Sequence, residues 1–395
     1  MKRSLRPLAM VIALGMLATA GVATARQPSP RIEGEGAGMK PIANIPWKGG
    51  TDMEIVNIKG RDIAFAASAA SLADGGGLHI IDVTVPEKSK EVAHLPCTVD
   101  QGDVQVSHDK KLVFMAADSA GSAESCLAVG KEGFLIVDIS NYKKPKAVGF
   151  AETGSSHNVT AHPSKPYVYN SSSALVPPGK IQIWSVKNPA KPELVNTIDS
   201  LPHAPHDISF NKKGDRAVTA AISHFDLFDT SDPENPTLLF ASQCPGCSIT
   251  HDAKFTPDGK HIFIGDEGGG GAPYPCPGGA LYAYQLNGDI PILTGIFEPA
   301  VVASAQGGVG GCTSHVFDIS DDSKKLAIAW YTAGVYYLDI SNPMGVTVGE
   351  NGQGMKQLAW FIPAGGNTWS AKLHKGPYMF GNDRNLGFIA YKIGK

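Results

Sequence analysis

Apolar and polar residues alternate almost from end to end of this chain, interrupted at short intervals by Gly, Pro, Asn and Asp, and the interrupted runs repeat. One phrase starts on a glycine or small polar residue, alternates, and often closes on Asp. It occurs as GGLHIIDVT (76–84), GFLIVDIS (133–140), GKIQIWSV (179–186), SHFDLFDTS (223–231), GALYAYQL (279–286), AGVYYLDIS (333–341) and LGFIAYKI (386–393). Period-two alternation of this length predicts half-buried strands rather than helices. Ahead of each phrase lie two further runs joined by a polar turn, as in HDISFNKKGDRAVTAA and HDAKFTPDGKHIFIG, where Lys-Lys-Gly and Pro-Asp-Gly are hairpin chemistry. Behind most of them, after a turn that often carries proline, comes a fourth run such as PKAVGFA (145–151) or KQLAWFI (356–362). Each unit is therefore four antiparallel strands.

Seven such units, at a period of about 50 residues, predict an all-β fold, a seven-bladed β-propeller whose sheets bury their faces against one another around a central channel. A linear solenoid would need atypical capping units at both ends. Here the ends are complementary instead. The last unit stops at its third strand, LGFIAYKI, and the chain opens with an unmatched fourth-strand phrase, MKPIANIPW (39–47). The expectation is one domain over 39–395, closed by the N-terminal strand completing the last blade, with 26–38 as a linker.

Phe134-Leu135-Ile136-Val137-Asp138-Ile139-Ser140 and its degenerate copies resemble the LVIVD-repeat family of exported bacterial and archaeal proteins. The resemblance implies an exported or cell-surface propeller. The motif is a structural third strand, so it speaks for fold and not for an activity.

Residues 1–25 carry Lys2, Arg3 and Arg6, an apolar run, and Ala23-Thr24-Ala25, the pattern of a cleaved secretion signal. That predicts a periplasmic or extracellular protein. Loss of those three cations makes the formal charge of −3 more negative still, which argues against nucleic acid as a partner. No later apolar run is long enough for membrane insertion. Cys97, Cys126, Cys244, Cys247, Cys276 and Cys312, in an exported chain, read first as disulfides, with Cys97 and Cys126 the most plausible pair.

Stacking the seven first strands places Asp52, Asp103, His157, His206, His251, His315 and Trp369 in one column, where each blade's chain enters the channel mouth. A single histidine there is explained by a hydrogen bond to a backbone carbonyl between blades. Four in register, out of 12 in the chain, point to a metal or to catalysis. Imidazole suits copper, iron or zinc, so His157, His206, His251 and His315 are the expected ligands. His203, Asp103 and Trp369 are the candidates for acid–base work or substrate contact. Lys254, Asp318 and Lys372 lie three residues further in, as suited to bridging blades as to catalysis. The glycine run GDEGGGG is no phosphate cradle, and Asp266 and Glu267 lack the ladder of oxygens that calcium needs.

The leading functional expectation is an exported metal-dependent enzyme, an oxidoreductase before a hydrolase, acting on a small molecule or saccharide. Its site arrangement is similar to the histidine-ringed propellers of carotenoid-cleavage oxygenases and methanethiol oxidase. The alternatives are a metal-independent lyase or hydrolase using histidine as acid and base, and a non-enzymatic binding or scaffold propeller.

Overall fold

The computed structural model describes residues 32–118, 127–128, 130–172, 179–269, 278–299 and 311–394. The leader over 1–25, Cys126 and Cys276 lie outside the described residues, and with them the expected Cys97–Cys126 pairing. Cys97 and Cys312 are both disulfide-bonded, and Cys244 is joined to Cys247.

Each repeat folds as a four-stranded antiparallel sheet, and seven of these sheets stand around an axis. Their innermost strands are Gly50–Ile58, Gln101–Val106, Asn158–Ala161, Asp207–Phe210, Thr250–Phe255, Phe317–Ile319 and Thr368–His374. Turn chemistry sets the first hairpin: Lys59 and Gly60 take φ of 52° and 83° between the paired Ile58 and Arg61. Two positive φ values in a two-residue loop match the right-handed twist of the flanking strands. The core lies between sheets rather than within them. Ile63, Phe65, Leu78 and Ile80 of blade one pack against Val104, Val113, Met115 and Leu135 of blade two, all buried.

Closure follows the complementarity of the two ends. Met39–Ile45 pairs antiparallel with Gly387–Ile393 and becomes the outer strand of blade seven. Ile45 and Trp47 are buried with Met53 and Ala64 of blade one and Phe380 and Phe388 of blade seven, so the same segment seals the junction. The Gly394 amide donates to the Gly38 carbonyl at 2.7 Å.

Among the described residues three strands exceed the seven-fold repeat, the shortest being Asn351–Gly352, which pairs antiparallel with Gly345–Val348. Gly34–Ala37, within the stretch read as a linker, pairs with Lys356–Pro363 as a fifth, fully exposed strand of blade six. Gly345–Val348, in the connection before the fourth strand of blade six, pairs parallel with Ile290–Glu298 of blade five. Gly295 permits this approach, because a Cβ there would lie 1.7 Å from the Pro343 carbonyl oxygen.

Candidate metal site in the channel mouth

His157 and His206 immediately precede an innermost strand, His251 is the second residue of one and His315 lies two residues ahead of one, and the propeller brings them edge to edge. Ring centroids are 4.3 Å apart from His157 to His206, 4.3 Å from His206 to His251 and 3.9 Å from His251 to His315. Trp369 continues the arc 4.4 Å from His315. Ladder hydrogen bonds anchor the backbones: the amides of His157, His206 and His315 donate to the carbonyls of Ser171, Ala220 and Ala329 at the ends of the second strands.

Asp52 and Asp103 are not members of this ring. Met53, Val104, Ile208 and Ala253 occupy equivalent positions in the sheet registers, opposite Ala66, Met115, Thr219 and Ile264. Asp52 and Asp103 therefore share a layer with Asp207 and Asp252, one residue deeper than the histidines. Thr51 and Gly102 fill the ring positions, with Thr51 Oγ1 donating to the Gly102 carbonyl at 3.2 Å. The physical reason for the deeper placement is a bond to the next blade. Asp52 accepts from the Val104 amide, Asp103 from that of Val159 and Asp252 from that of Phe317.

Within the ring the histidines differ. His206, His251 and Glu267 each offer a ligand atom, all within 4.8 Å of one another, and all three side chains are buried. Nδ1 of His206 and of His251 is buried without a hydrogen-bond partner. His315 donates from Nδ1 to the Trp369 carbonyl at 2.7 Å, which leaves the lone pair on Nε2, 3.9 Å from Glu267 Oε1. A backbone carbonyl that orients the far ring nitrogen is the usual support of a ligating imidazole. Glu267 is positioned by its own amide, bonded to the Ile249 carbonyl at 2.8 Å, and by the Tyr331 hydroxyl, which donates to it at 2.7 Å. Tyr331 holds a φ of 46°, unusual for an aromatic residue.

Burial, reinforced by neighbouring imidazoles, holds His206 and His251 well below the usual imidazole range, and burial takes His315 down to about 3. All three are thus neutral at physiological pH, the form that can bind a cation. Burial, and then Glu267, pushes the Tyr331 hydroxyl well up. His157 stands apart. Its Nδ1 faces Asp118 at 3.0 Å and its Nε2 faces the Gln101 side-chain amide at 2.6 Å, so both ring nitrogens are engaged.

His203 lies outside the ring as well. It is drawn to Asp226, with Nδ1 to Oδ1 at 2.8 Å, and stacks on His224 at 3.6 Å. Asp226 belongs to the third strand of blade four, His224–Asp229, roughly 10 Å outward from the innermost strand at about 4.8 Å per strand. The His224 Nδ1 in turn meets Ser223 Oγ at 2.8 Å.

Below the ring the channel holds a cavity of about 240 Å³ lined by Asp52, Asp103 and Asp207, with Glu54, Lys254, Asp318 and Lys372. Burial and then Asp52 push Asp103 well up, while burial and then Asp252 take Asp207 to about 8. Burial opposes the charge on Lys372, but Glu54, Asp52 and Asp318 together hold it well above its ordinary value. These inner residues do bridge blades. Lys372 Nζ donates to Glu54 at 2.9 Å, Lys254 Nζ to the Phe317 carbonyl at 2.7 Å, and Asp318 accepts from the Leu373 amide at 2.9 Å.

Sequence reasoning weighed Glu267 only as a calcium ligand, beside Asp266, and did not place it with the histidines. Glu267 follows a second strand, His261–Asp266, not a first one, so it has no counterpart in the repeat column. Its neighbour Asp266 turns away and accepts from the amides of Ser248 and Ile249. Trp369, meanwhile, carries the Arg384 guanidinium 4.8 Å over its ring.

The LVIVD-repeat family model matches residues 125–153. No curated protein matches the sequence. Among solved structures, the fold is similar to a functionally unknown protein from Desulfotomaculum acetoxidans, with 14% identity, a TM-score of 0.54, and coverage of 74% of this chain and 83% of that one. It is similar also to the Cps50 (Swd1) β-propeller domain from Myceliophteria thermophila, with 10% identity, a TM-score of 0.60, and coverage of 89% and 99%. Identities this low bear on the fold alone. The protein is a seven-bladed β-propeller that carries an LVIVD repeat at residues 125–153.

Proposed function

We propose that this propeller binds a transition metal at the mouth of its channel through His206, His251 and Glu267, with His315 beside them, and works as an exported metal-dependent enzyme on a small molecule. The carrying observation is the convergence of those three ligand atoms within 4.8 Å, in a buried setting where two imidazole nitrogens have no hydrogen-bond partner. Two histidines and one carboxylate form the donor set typical of non-haem iron oxygenases. That set favours iron over copper or zinc, and oxidation over hydrolysis.

Such a metal would supply Lewis acidity or redox chemistry at the axis. The chain's own residues do the rest. The Trp369 carbonyl holds the His315 tautomer, and Tyr331 holds the Glu267 carboxylate in place. Burial keeps the imidazoles neutral and excludes bulk water. Arg384, stacked on Trp369, presents a positive charge at the mouth. The His203–Asp226 pair supports a second reading, an acid–base site that needs no metal, because a carboxylate on Nδ1 is the orientation that leaves Nε2 free to take a proton.

Elemental analysis of protein purified without a histidine tag tests the first reading. About one equivalent of metal per chain is expected. It should be lost in His206→Ala and in Glu267→Gln, and kept in His203→Ala. A folded protein that neither retains nor takes up iron, copper or zinc would sink the metal reading and leave the His203–Asp226 site.

A further inference from the structure

The channel below the histidine ring holds more buried carboxyl groups than its two lysines can pair with. Lys372 is committed to Glu54 and Lys254 to Asp252. Asp52, Asp103, Asp207 and Asp318 are left without a hydrogen-bonded cation among the described residues. Each has one oxygen tied to a backbone amide: Asp52 to Val104, Asp103 to Val159, Asp207 to Ile208 and Asp318 to Leu373.

Asp52 is the most telling of the four. The residue is only 3% exposed and lines the cavity, yet its Oδ1 has no hydrogen-bond partner, and the nearest ammonium, Lys372 Nζ, is 4.0 Å away. Its Oδ2 accepts from the amide of Val104, the residue next to Asp103, and the two carboxyls line the same cavity. Two buried carboxyls facing one cavity share a proton unless a cation lies between them.

We propose that Asp52 and Asp103 jointly hold a hard divalent cation, calcium or magnesium, in the channel one layer beneath the imidazole site. Its donors are oxygens alone, the preference of a hard cation, whereas the site above offers nitrogen. The cavity of about 240 Å³ admits the ion with part of its water shell, at roughly 30 Å³ per water. Asp207, on the same cavity wall, faces that shell. The cation ties blade one to blade two and offsets charge that the lysines leave uncompensated.

Calorimetric titration of chelator-treated protein with calcium chloride alone, and separately with magnesium chloride alone, tests the site. Saturable binding of one of the two is expected. Asp52→Asn and Asp103→Asn should each weaken it by at least about tenfold, since affinity follows ligand charge. His206→Ala should leave it unchanged, which keeps this site's fate distinct from that of the imidazole site. Absence of saturable binding by either ion overturns the proposal and assigns the pair a shared proton. So does binding that both asparagine variants retain. Should those variants fail to fold, anomalous scattering from crystals of the unmodified protein grown with calcium decides: a peak between Asp52 and Asp103 supports the site, and no peak there overturns it.

Discussion

At the scale of single residues, the channel is where this protein departs from the chemistry of its repeat. Ordinary propeller positions carry apolar side chains, but this axis carries neutral imidazoles above and crowded carboxyls below, and each layer has its own pH signature. For His315 the folded-state value near 3 lies under the usual imidazole range of about 6.5. The unfolded chain therefore binds more protons in that window. The stability of metal-free protein is fully present above about pH 6.5 and drains away as pH falls towards 3. Asp207 acts in the opposite sense. Its value is raised from 3.8 to about 8, so its contribution is present below 3.8 and is lost as pH rises to about 8. In chelator-treated protein, Asp207→Asn should raise Tm at pH 8 by about 5 °C and by less at pH 5. His315→Gln should gain on the unmodified protein as pH falls from 7 to 5. Thermal melts across pH check both; parallel Tm–pH curves for all three proteins would refute the assignment. Of these residues the sequence marked the four histidines, since a repeat column exposes an unusual residue type. It misplaced Asp52 and Asp103 by one step, because inner-strand bulges between Gly50 and Met53 and between Gln101 and Val104 leave no trace in the hydrophobic pattern.

At the scale of elements, the strands were legible because each has one periodicity and a turn at either end. The N-terminal strand was legible by elimination, as the fourth strand the last unit lacked. Its importance is unequal along its length. Gly34–Ala37 is an exposed fifth strand, whereas Met39–Ile45 closes blade seven and buries Met39 and Ile45. A chain starting at Gly38 should keep its Tm within a few degrees. A chain starting at Lys48 forfeits buried side chains worth about 2–5 kcal/mol each and leaves Gly387–Ile393 as a bare edge. It should aggregate or unfold, as read by size-exclusion chromatography and circular dichroism. Full retention of a cooperative melt in that truncation would mean the closure is dispensable. The additional strands were not legible, since Gly34–Ala37 has no apolar alternation and Gly345–Val348, with its partner Asn351–Gly352, pairs outside its own blade.

At the scale of the whole molecule, the ring is closed by a meeting of termini: the Gly394 amide bonds to the Gly38 carbonyl, and Gly49 to the Arg384 carbonyl. Blade seven is assembled from both ends of the chain, so connectivity there is exchangeable. A circular permutant that moves residues 39–48 behind residue 394 through a short linker, with its new start at Gly49, should fold with a Tm within about 5 °C of the parent. It should also match the parent in the elemental analysis proposed above. Failure to fold would show that the order of synthesis matters to closure. The sequence by itself determined the strands, their grouping in fours, their number and the segment that closes the ring, because alternation and turn residues act over a few positions. Only the tertiary structure decided which polar residues meet. Glu267 joins His206 and His251, Asp52 and Asp103 line one cavity, and His203 pairs with Asp226. Each of those encounters spans different blades or strands and is set by how the sheets pack around the axis, a distance relation that no local pattern encodes.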